Sequence, residues 1–210
     1  ELLAAAIVYG GVEYGDLKLD DVEEQLGKKV AKMVHSTQKM SVLTTLRAKG
    51  DHKQIDNLRR MLLALVSDVR IVLIKLAERL CIMRAVKSSD DALRKELANE
   101  TMAIYAPLAN RLGIHQFKWE LEDISFRYLH SDTYKKIAKQ LQQRRVEREQ
   151  NINNIITALR SLLSEIGIKA DVYGRAKHIY SIYRKMIRKG VDFAKIYDAH
   201  AVRILVNNVD

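Results

Sequence analysis

Residues 174–186 read GRAKHIYSIYRKM, and this stretch decides the fold of the last part of the chain. A strand-like run, Ile168–Tyr173, precedes it, and a second apolar run, Val202–Val206, follows. The segment between them places several cations and one hydroxyl at the start of a helix. This succession of strand, basic helix and strand predicts an α+β unit that begins near Gly167.

The start of this helix suits a polyphosphate, because backbone N–H groups and the helix dipole both favour anions there. Arg175 could bind two phosphate oxygens through its forked guanidinium, while Lys177 and Lys185 would add point charges. Ser181 lies one helical turn before Lys185, on the face that is also expected to carry Lys177. The motif therefore predicts a phosphate clamp at the strand-to-helix turn.

A carboxylate follows this helix on the way into the second strand. Asp198 is the nearest candidate ligand for the Mg²⁺ that a nucleoside triphosphate carries, because Mg²⁺ prefers oxygen ligands. Arg203, further along a strand, is expected to point to the opposite face from Asp198 unless a bulge or a turn intervenes. From spacing alone, a basic surface helix followed by a strand-capping Asp stays an open alternative.

The chain before Gly167 is expected to be helical, since glycine is sparse and Pro107 is the single proline. We predict a domain at residues 1–109, connecting helices at 110–166 and a second domain at 167–210. The expected elements are helices Glu1–Tyr9, broken by Gly10-Gly11, then Leu19–Gly27, Lys28–Met40, Gln54–Val66, Asp68–Ala85, Asp91–Tyr105, Asn110–Leu112, Trp119–Leu129 and Asp132–Ile166, with a loop over Leu43–His52.

Composition limits the class of protein. The 210 residues carry a formal net charge of +10, which favours a nucleotide, RNA or an acidic surface as partner, although a basic surface without a specific ligand stays open. The single cysteine, Cys81, excludes an internal disulfide, and its apolar surroundings predict a buried thiol. No apolar run approaches the ~20 residues of a membrane span. Both chain ends read as cut within elements, so we expect part of a longer protein.

The residues quoted above resemble the RelA/SpoT enzymes, which make (p)ppGpp. Residues 174–186, with Asp198 and the Ala201–Arg203 segment, are similar to the start of their synthetase domain, and residues 104–114 and 118–123 resemble the helical segment before it. The resemblance implies a nucleotidyltransferase-like fold that transfers pyrophosphate from ATP to the ribose 3′-oxygen of GTP or GDP. It implies Mg²⁺ at Asp198 and ATP at Arg175, Lys177, Ser181, Lys185 and Arg203.

The resemblance also implies that the N-terminal domain, of the HD type, has lost its hydrolase site. Family hydrolases use a His-Asp metal pair in the setting Leu-His-Asp-x-x-Glu-Asp, and their later motif Lys-Leu-Ala-Asp-Arg-x-His-Asn-Met-Arg carries a further Asp, His and Asn. Here a tyrosine and a glycine replace the first pair, and they cannot supply an imidazole and a carboxylate, so no Mn²⁺ is expected. The degenerate positions are Tyr9, Gly10, Glu13, Tyr14, Glu78, Cys81 and Ile82.

Three functions are therefore compatible with the sequence. The leading one is a (p)ppGpp synthetase of which this chain holds the inactive hydrolase domain and the ATP half of the synthetase site, so that it should not be active alone. The others are a non-catalytic regulatory helical module and, less favoured, a metal-dependent (p)ppGpp hydrolase. The resemblance further implies a cytoplasmic protein without membrane association, whose partners include the ribosome and uncharged tRNA through C-terminal regions outside this sequence.

Overall fold

The computed structural model describes residues 1–47, 68–143, 145–196 and 200–206. Contacts group the chain into two compact units, Glu1–Leu129 and His130–Asp210. The described part of unit 1 is helical throughout, and unit 2 combines helices with a two-stranded sheet. The predicted fold class, mostly α followed by the start of an α+β domain, is confirmed.

Unit 1 begins with helices α1 (Leu2–Glu13), α2 (Leu19–Leu26) and α3 (Lys28–Arg47). Both α1 and α2 pack against α3. Gly27 ends α2 with a φ of +88°, which glycine adopts without strain, so the predicted helix end is confirmed. The shared core of these helices consists of Ala5, Tyr9, Val12, Val22, Val30, Ala31, Met33 and Val34.

The predicted break at Gly10-Gly11 is wrong, because α1 runs through both glycines. A Cβ on Gly11 would lie 2.8 Å from Leu17 Cδ1, so the bare glycine lets Leu17 pack on the helix. Each glycine costs a helix about 1 kcal/mol. Burial of Tyr9 and Val12 on either side of the pair offsets that cost.

The predicted loop over Leu43–His52 is also wrong at its start, since α3 continues to Arg47. Polar residues with ordinary helix propensities do not end a helix simply because their apolar spacing is poor. The remainder of that segment, and the predicted helix Gln54–Val66, lie outside the described residues.

The rest of unit 1 starts with α4 (Val69–Ala85), which Asp68 caps by accepting the Arg70 backbone N–H at 3.0 Å. After a 3₁₀ turn (Val86–Ser88) come α5 (Asp91–Glu100), a π-helical turn (Thr101–Tyr105), α6 (Ala106–Arg111) and α7 (His115–Leu129). The π turn directly precedes α6, whose second residue, Pro107, has no N–H to donate, and the helical path continues past it. Helix α7 packs on α4, α5 and α6, and the fully buried side chains there include Leu76, Leu108 and Leu121.

Unit 2 contains helices α8 (Ser131–Gln143), α9 (Arg145–Glu165) and α10 (Ile179–Lys189), strands β1 (Ala170–Ala176) and β2 (His200–Val206), and a 3₁₀ turn (Phe193–Lys195). The strands are antiparallel, with Ala170 opposite Val206 and Ala176 opposite His200. Helix α9 packs on the sheet, and α10 packs on α8. The strands are thus shifted from the predicted runs, β1 starting later and β2 earlier.

The contacts divide the chain after Leu129, whereas the predicted domain boundaries follow residues 109 and 166. The reason is packing: α7 supplies Leu121 to the core of unit 1, and α9 supplies a cover for β1. The predicted connecting helices are therefore divided between the two units. The boundaries after residues 109 and 166 stay predictions of where the domains begin and end. Within the described ranges no helix combines the length and apolar character needed to cross a membrane.

Candidate functional site

The predicted strand-to-helix turn lies at the end of β1. The strand ends at Ala176 and α10 begins at Ile179, so Lys177 and His178 form the link. His178 takes the N-cap position with φ −65° and ψ 147°, and its side chain makes no capping hydrogen bond. The link therefore leads a cationic segment directly into the first turn of α10, where the helix dipole favours anions.

Three of the predicted ATP residues are grouped around this turn. Ser181 and Lys185 lie one helical turn apart on α10, and both are partly exposed. Between them Ile182 is only 1% exposed and anchors the helix in unit 2. Lys177, also partly exposed, precedes the helix, so the expectation that it shares a helical face with Ser181 is wrong. It lies at the mouth of the helix instead.

The other three predicted residues belong to the sheet or the segment before β2. Arg203 is exposed and pairs with Tyr173 across the two strands. The backbone of Arg175 pairs with Ala201, and its side chain is not described. Asp198 lies outside the described residues. Their convergence on a nucleotide therefore stays a prediction.

The glycine that opens the motif is required by packing on the sheet. A Cβ at Gly174 would lie 2.9 Å from Ile152 Cγ1 and 3.2 Å from Ile156 Cδ1 of α9. From the same helix, Arg160 donates to the Val172 carbonyl at 2.7 Å, and Val172 is buried. Helix α9 therefore holds the end of β1 closely, and that contact positions the link to α10.

A second cluster, which we call the Lys75 cluster, lies in unit 1 and consists of Lys75, Tyr9 and Glu78. The side chain of Lys75 is 4% exposed; its Nζ donates to Tyr9 Oη at 3.1 Å and to the Glu78 carboxylate. The ammonium also lies 5.2 Å from the centre of the Tyr9 ring. Two of the predicted degenerate positions are thus brought together by a buried cation.

Burial alone would lower the pKa of Lys75, because it disfavours the charged amine. The hydrogen bond and the charge of Glu78, with smaller contributions from Tyr105 and Tyr9, outweigh burial and raise the pKa of Lys75 above its ordinary value. The group is therefore a fixed positive charge at neutral pH.

Arg79, the next buried cation on α4, is held in a similar way. Its guanidinium forms an ion pair with Glu100 at 2.8 Å and lies 4.1 Å from the centre of the Tyr105 ring. Burial opposes the charge, but Tyr105 and Glu100 together raise the pKa of Arg79. Tyr105 also raises the pKa of Lys75, so it favours the charged form of both cations.

The remaining degenerate positions do not form a metal site. Tyr14 is 71% exposed, and Cys81 is exposed, so the prediction of a buried thiol is wrong. The buried stripe of α4 passes through Leu76, Leu80 and Met83 and leaves Cys81 outside it. Gly10, Glu13 and Ile82 are partly exposed. Among the described residues no group of three His, Cys, Asp or Glu side chains could hold a metal ion.

Lys75 is not among the site residues predicted from the sequence, although the sequence carries a signal for it. Lys75 is the only charged residue in the run Ile71–Leu76. A lysine inside an apolar run is almost never fully buried unless it is paired. A search for its partner would have pointed to an acid one helical turn away, and Glu78 is three residues further on.

Comparison with known proteins finds a family match for the helical first part of the chain and another for the motif at its end. A family model described as an HD domain matches residues 1–115, and one described as a region found in RelA/SpoT proteins matches residues 174–210. GTP pyrophosphokinases of Photobacterium angustum and Escherichia coli K12 are each 45% identical over 100% of this chain. The bifunctional (p)ppGpp synthase/hydrolase SpoT of Escherichia coli K12 is 40% identical over the same share.

This chain spans 29% of each of those pyrophosphokinases and 30% of that SpoT protein. The HD match covers the Lys75 cluster, and the second match begins at the glycine that packs under α9. The chain therefore belongs to the HD-domain family and carries, from Gly174 onward, the region found in RelA/SpoT proteins.

Proposed function

We propose that the protein to which this chain belongs is a (p)ppGpp synthetase, which transfers pyrophosphate from ATP to the 3′-oxygen of GTP or GDP. The observation that carries the proposal is the motif of the RelA/SpoT region, folded as a strand end, a cationic link and a helix start. Relatives named GTP pyrophosphokinase support the same activity.

In this proposal the chain contributes the ATP side of the site. Lys177 and Lys185 neutralise phosphate charge, Ser181 donates a hydrogen bond, and Arg175 and Arg203 bind from the sheet. The 3′-hydroxyl oxygen of the acceptor loses its proton and forms a bond to the β-phosphorus of ATP. The bond between that phosphorus and the α–β bridging oxygen breaks, and AMP leaves with the bridging oxygen. Such transfers depend mainly on positioning and charge neutralisation, which is the chemistry that a cationic helix mouth can supply.

Asp198 would hold the Mg²⁺ that accompanies the nucleotide, since a carboxylate and phosphate oxygens are the ligands this ion prefers. The strand register supports this assignment: His200, two residues after Asp198, pairs with Ala176, directly before Lys177. Bound Mg²⁺ would offset negative charge on the transferred group.

The test is Mg·ATP binding to the chain by calorimetry. Lys177→Ala should weaken binding about 10- to 100-fold, because a charge-assisted hydrogen bond contributes about 1.5–3 kcal/mol. Lys195→Ala removes an exposed lysine from the 3₁₀ turn and should leave binding unchanged. If the chain does not bind ATP, or if both variants weaken binding equally, Lys177 is not part of the phosphate-binding site. A longer polypeptide covering the complete RelA/SpoT region should then convert labelled ATP and GTP into AMP and pppGpp in equal amounts.

A second function, regulation of the synthetase by unit 1, is favoured by the Lys75 cluster. Unit 1 keeps a buried polar cluster at two of the degenerate hydrolase positions, Tyr9 and Glu78. We propose that it has been retained as a control module. The longer polypeptide should change its rate of synthesis when unit 1 is removed after Leu129, where the contacts divide the chain. An unchanged rate would argue against regulation.

The hydrolase alternative is not supported, because the donor set of the described residues does not fit a divalent metal. The ribosome and uncharged tRNA as partners, and a cytoplasmic location, stay predictions from the resemblance.

A further inference from the structure

Three aromatic rings form a row on the surface of unit 2, outside the predicted phosphate clamp. The ring centre of Tyr183 lies 6.2 Å from that of His130 and 6.3 Å from that of Tyr180. His130 directly precedes α8 and is exposed, while both tyrosines belong to α10 and are partly exposed. This aromatic row therefore presents flat apolar surface to solvent, of the kind on which nucleic-acid bases stack.

Two arginines, which we call the arginine pair, lie beside the aromatic row on the outer side of α10. Ile182 is 1% exposed and fixes the side of the helix that faces the core. With about 3.6 residues per turn, Arg184 and Arg188 lie on the opposite side, and both are exposed. Tyr180 lies one turn before Arg184, so the aromatic and the cationic surfaces are continuous.

The arginine pair has no acidic partner among the described residues. Helix α10 contains no Asp or Glu, whereas four of its 11 residues are Lys or Arg. In unit 1 the exposed arginines are treated differently, since Arg70 pairs with Asp68 and Arg84 pairs with Glu120. Unmatched positive charge opposes the compact state through self-repulsion, and an anion relieves that repulsion. The surface therefore favours a polyanion in addition to the nucleotide at the phosphate clamp.

We propose that the aromatic row and the arginine pair bind a single-stranded nucleic acid. Unstacked bases lie on the rings, because every base has a π-face and such stacking tolerates any sequence. The two guanidinium groups bind backbone phosphates through paired N–H donors. Their Cβ atoms, one helical turn apart, are separated by about 5–6 Å, which is similar to the separation of successive phosphates along a strand.

Two other polyanions fit this surface less well. A duplex keeps its bases stacked inside the helix and would leave the aromatic row unused. An anionic membrane takes up the whole apolar face of an interfacial helix. The apolar face of α10 already packs in unit 2 through Ile182, and Ile187, 67% exposed, is the single large apolar side chain that this helix exposes.

The test measures binding of a fluorescent oligo(U) of about 12 nucleotides to the 210-residue chain by anisotropy, over a range of salt concentrations. Arg184→Gln/Arg188→Gln should reduce the slope of log affinity against log salt by about 1.4, because each phosphate contact to a single strand contributes about 0.7. If affinities converge at about 1 M salt, that change weakens binding about 25-fold at 0.1 M. The matched control, Arg70→Gln/Arg84→Gln, removes the same charge from paired sites in unit 1 and should leave slope and affinity unchanged.

A second variant tests stacking. Tyr180→Leu keeps an apolar side chain and removes the aromatic face, so it should weaken binding about 5- to 100-fold and leave the salt slope unchanged. Oligo(dT) of the same length identifies the source of the ligand. Weaker binding than oligo(U) would indicate RNA, through its 2′-hydroxyl groups, and equal binding would indicate recognition of bases and phosphates in either nucleic acid.

Inorganic polyphosphate, which carries charge without bases, is the competitor that can contradict the proposal. If it binds as tightly as oligo(U), or if the arginine variant and its control weaken binding equally, the surface is not a nucleic-acid site. Binding of phosphatidylserine vesicles that Ile187→Ser abolishes, without binding of oligo(U), would overturn the proposal in favour of a membrane. No variant here changes a residue of the phosphate clamp, so Mg·ATP binding is a separate readout and either proposal can fail alone.

Discussion

Replacing Gly174 by alanine tests whether close packing of α9 on the sheet positions the nucleotide motif. The new Cβ would lie 2.9 Å from Ile152 Cγ1, an atom in the middle of a side chain rather than at its flexible end. Such overpacking costs about 1–3 kcal/mol. Alanine also restricts the unfolded chain, which returns about 0.5–1 kcal/mol. We expect a net destabilisation of unit 2 of about 1–2 kcal/mol.

Hydrogen exchange followed by mass spectrometry gives the local readout. Peptides covering β1 should exchange about tenfold faster in the variant, since each 1.4 kcal/mol of opening free energy is one factor of ten. Peptides from α4 in unit 1 provide the internal control and should exchange at the original rate. Mg·ATP binding should weaken in parallel, because the link at Lys177 begins where β1 ends.

A matched double variant separates packing from other causes. Ile152→Ala removes the nearer of the two side chains that the new methyl group would meet and leaves Ile156, so Gly174→Ala should cost less in that background. The close approach of α9 is not the reason for the glycine if Gly174→Ala destabilises unit 2 by the same free energy with and without Ile152. The same conclusion follows if it accelerates exchange in α4 as much as in β1.

Three further predictions concern unit 1. Replacing Tyr9 by His and Gly10 by Asp should not restore (p)ppGpp hydrolysis in a nucleotide assay, because the donor set stays incomplete; appearance of GTP or GDP as product would contradict this. Leu121→Ala should lower the free energy of unfolding by about 2–5 kcal/mol in guanidinium, because Leu121 is 0% exposed in the core; a cost below 1 kcal/mol would mean that the site collapses fully. Asp68→Asn should cost about 0.5–1 kcal/mol near neutral pH, mainly by losing the ion pair of this N-cap with Arg70 at 2.6 Å. The hydrogen bonds of Arg70 hold the pKa of Asp68 below its ordinary value. This stability is therefore present above about pH 4 and is lost as the pH falls through the lowered pKa. If the original chain stays more stable than the Asn variant in strong acid, the ion pair is not the cause.

Local signals in the sequence were sufficient to predict where a helix begins or ends if a single residue determines the backbone conformation there. Gly27 ended α2 and Asp68 began α4 as predicted, because a positive φ and a capping carboxylate act over a few residues. The predicted helix break at Gly10-Gly11 was wrong, because the course of the helix there depends on Leu17, which packs against the bare Gly11. Propensity alone cannot register a contact of that kind.

The candidate site shows the same limit. The motif predicted the order of strand, link and helix, and Ser181 and Lys185 share a turn because the helical repeat requires it. The pairing of Arg203 with Tyr173 needed the strand register, which no spacing within one strand reveals. The bridge from Lys75 to Tyr9 spans 66 residues of sequence and depends on how α1 and α4 pack.

The distribution of charge links the two units to the proposed chemistry. Residues 130–210 contain sixteen Lys and Arg against eight Asp and Glu, so they carry +8 of the formal +10. Residues 1–129 carry the remaining +2, and their buried cations Lys75 and Arg79 are paired with Glu78 and Glu100. We therefore expect attraction of a polyphosphate to come mainly from unit 2. If that is correct, raising the salt concentration should weaken Mg·ATP binding to the unmodified chain and to a Lys75→Met variant with the same slope. Different slopes would show that the Lys75 cluster contributes to the field at the nucleotide, and would require a functional role for unit 1 beyond its own packing.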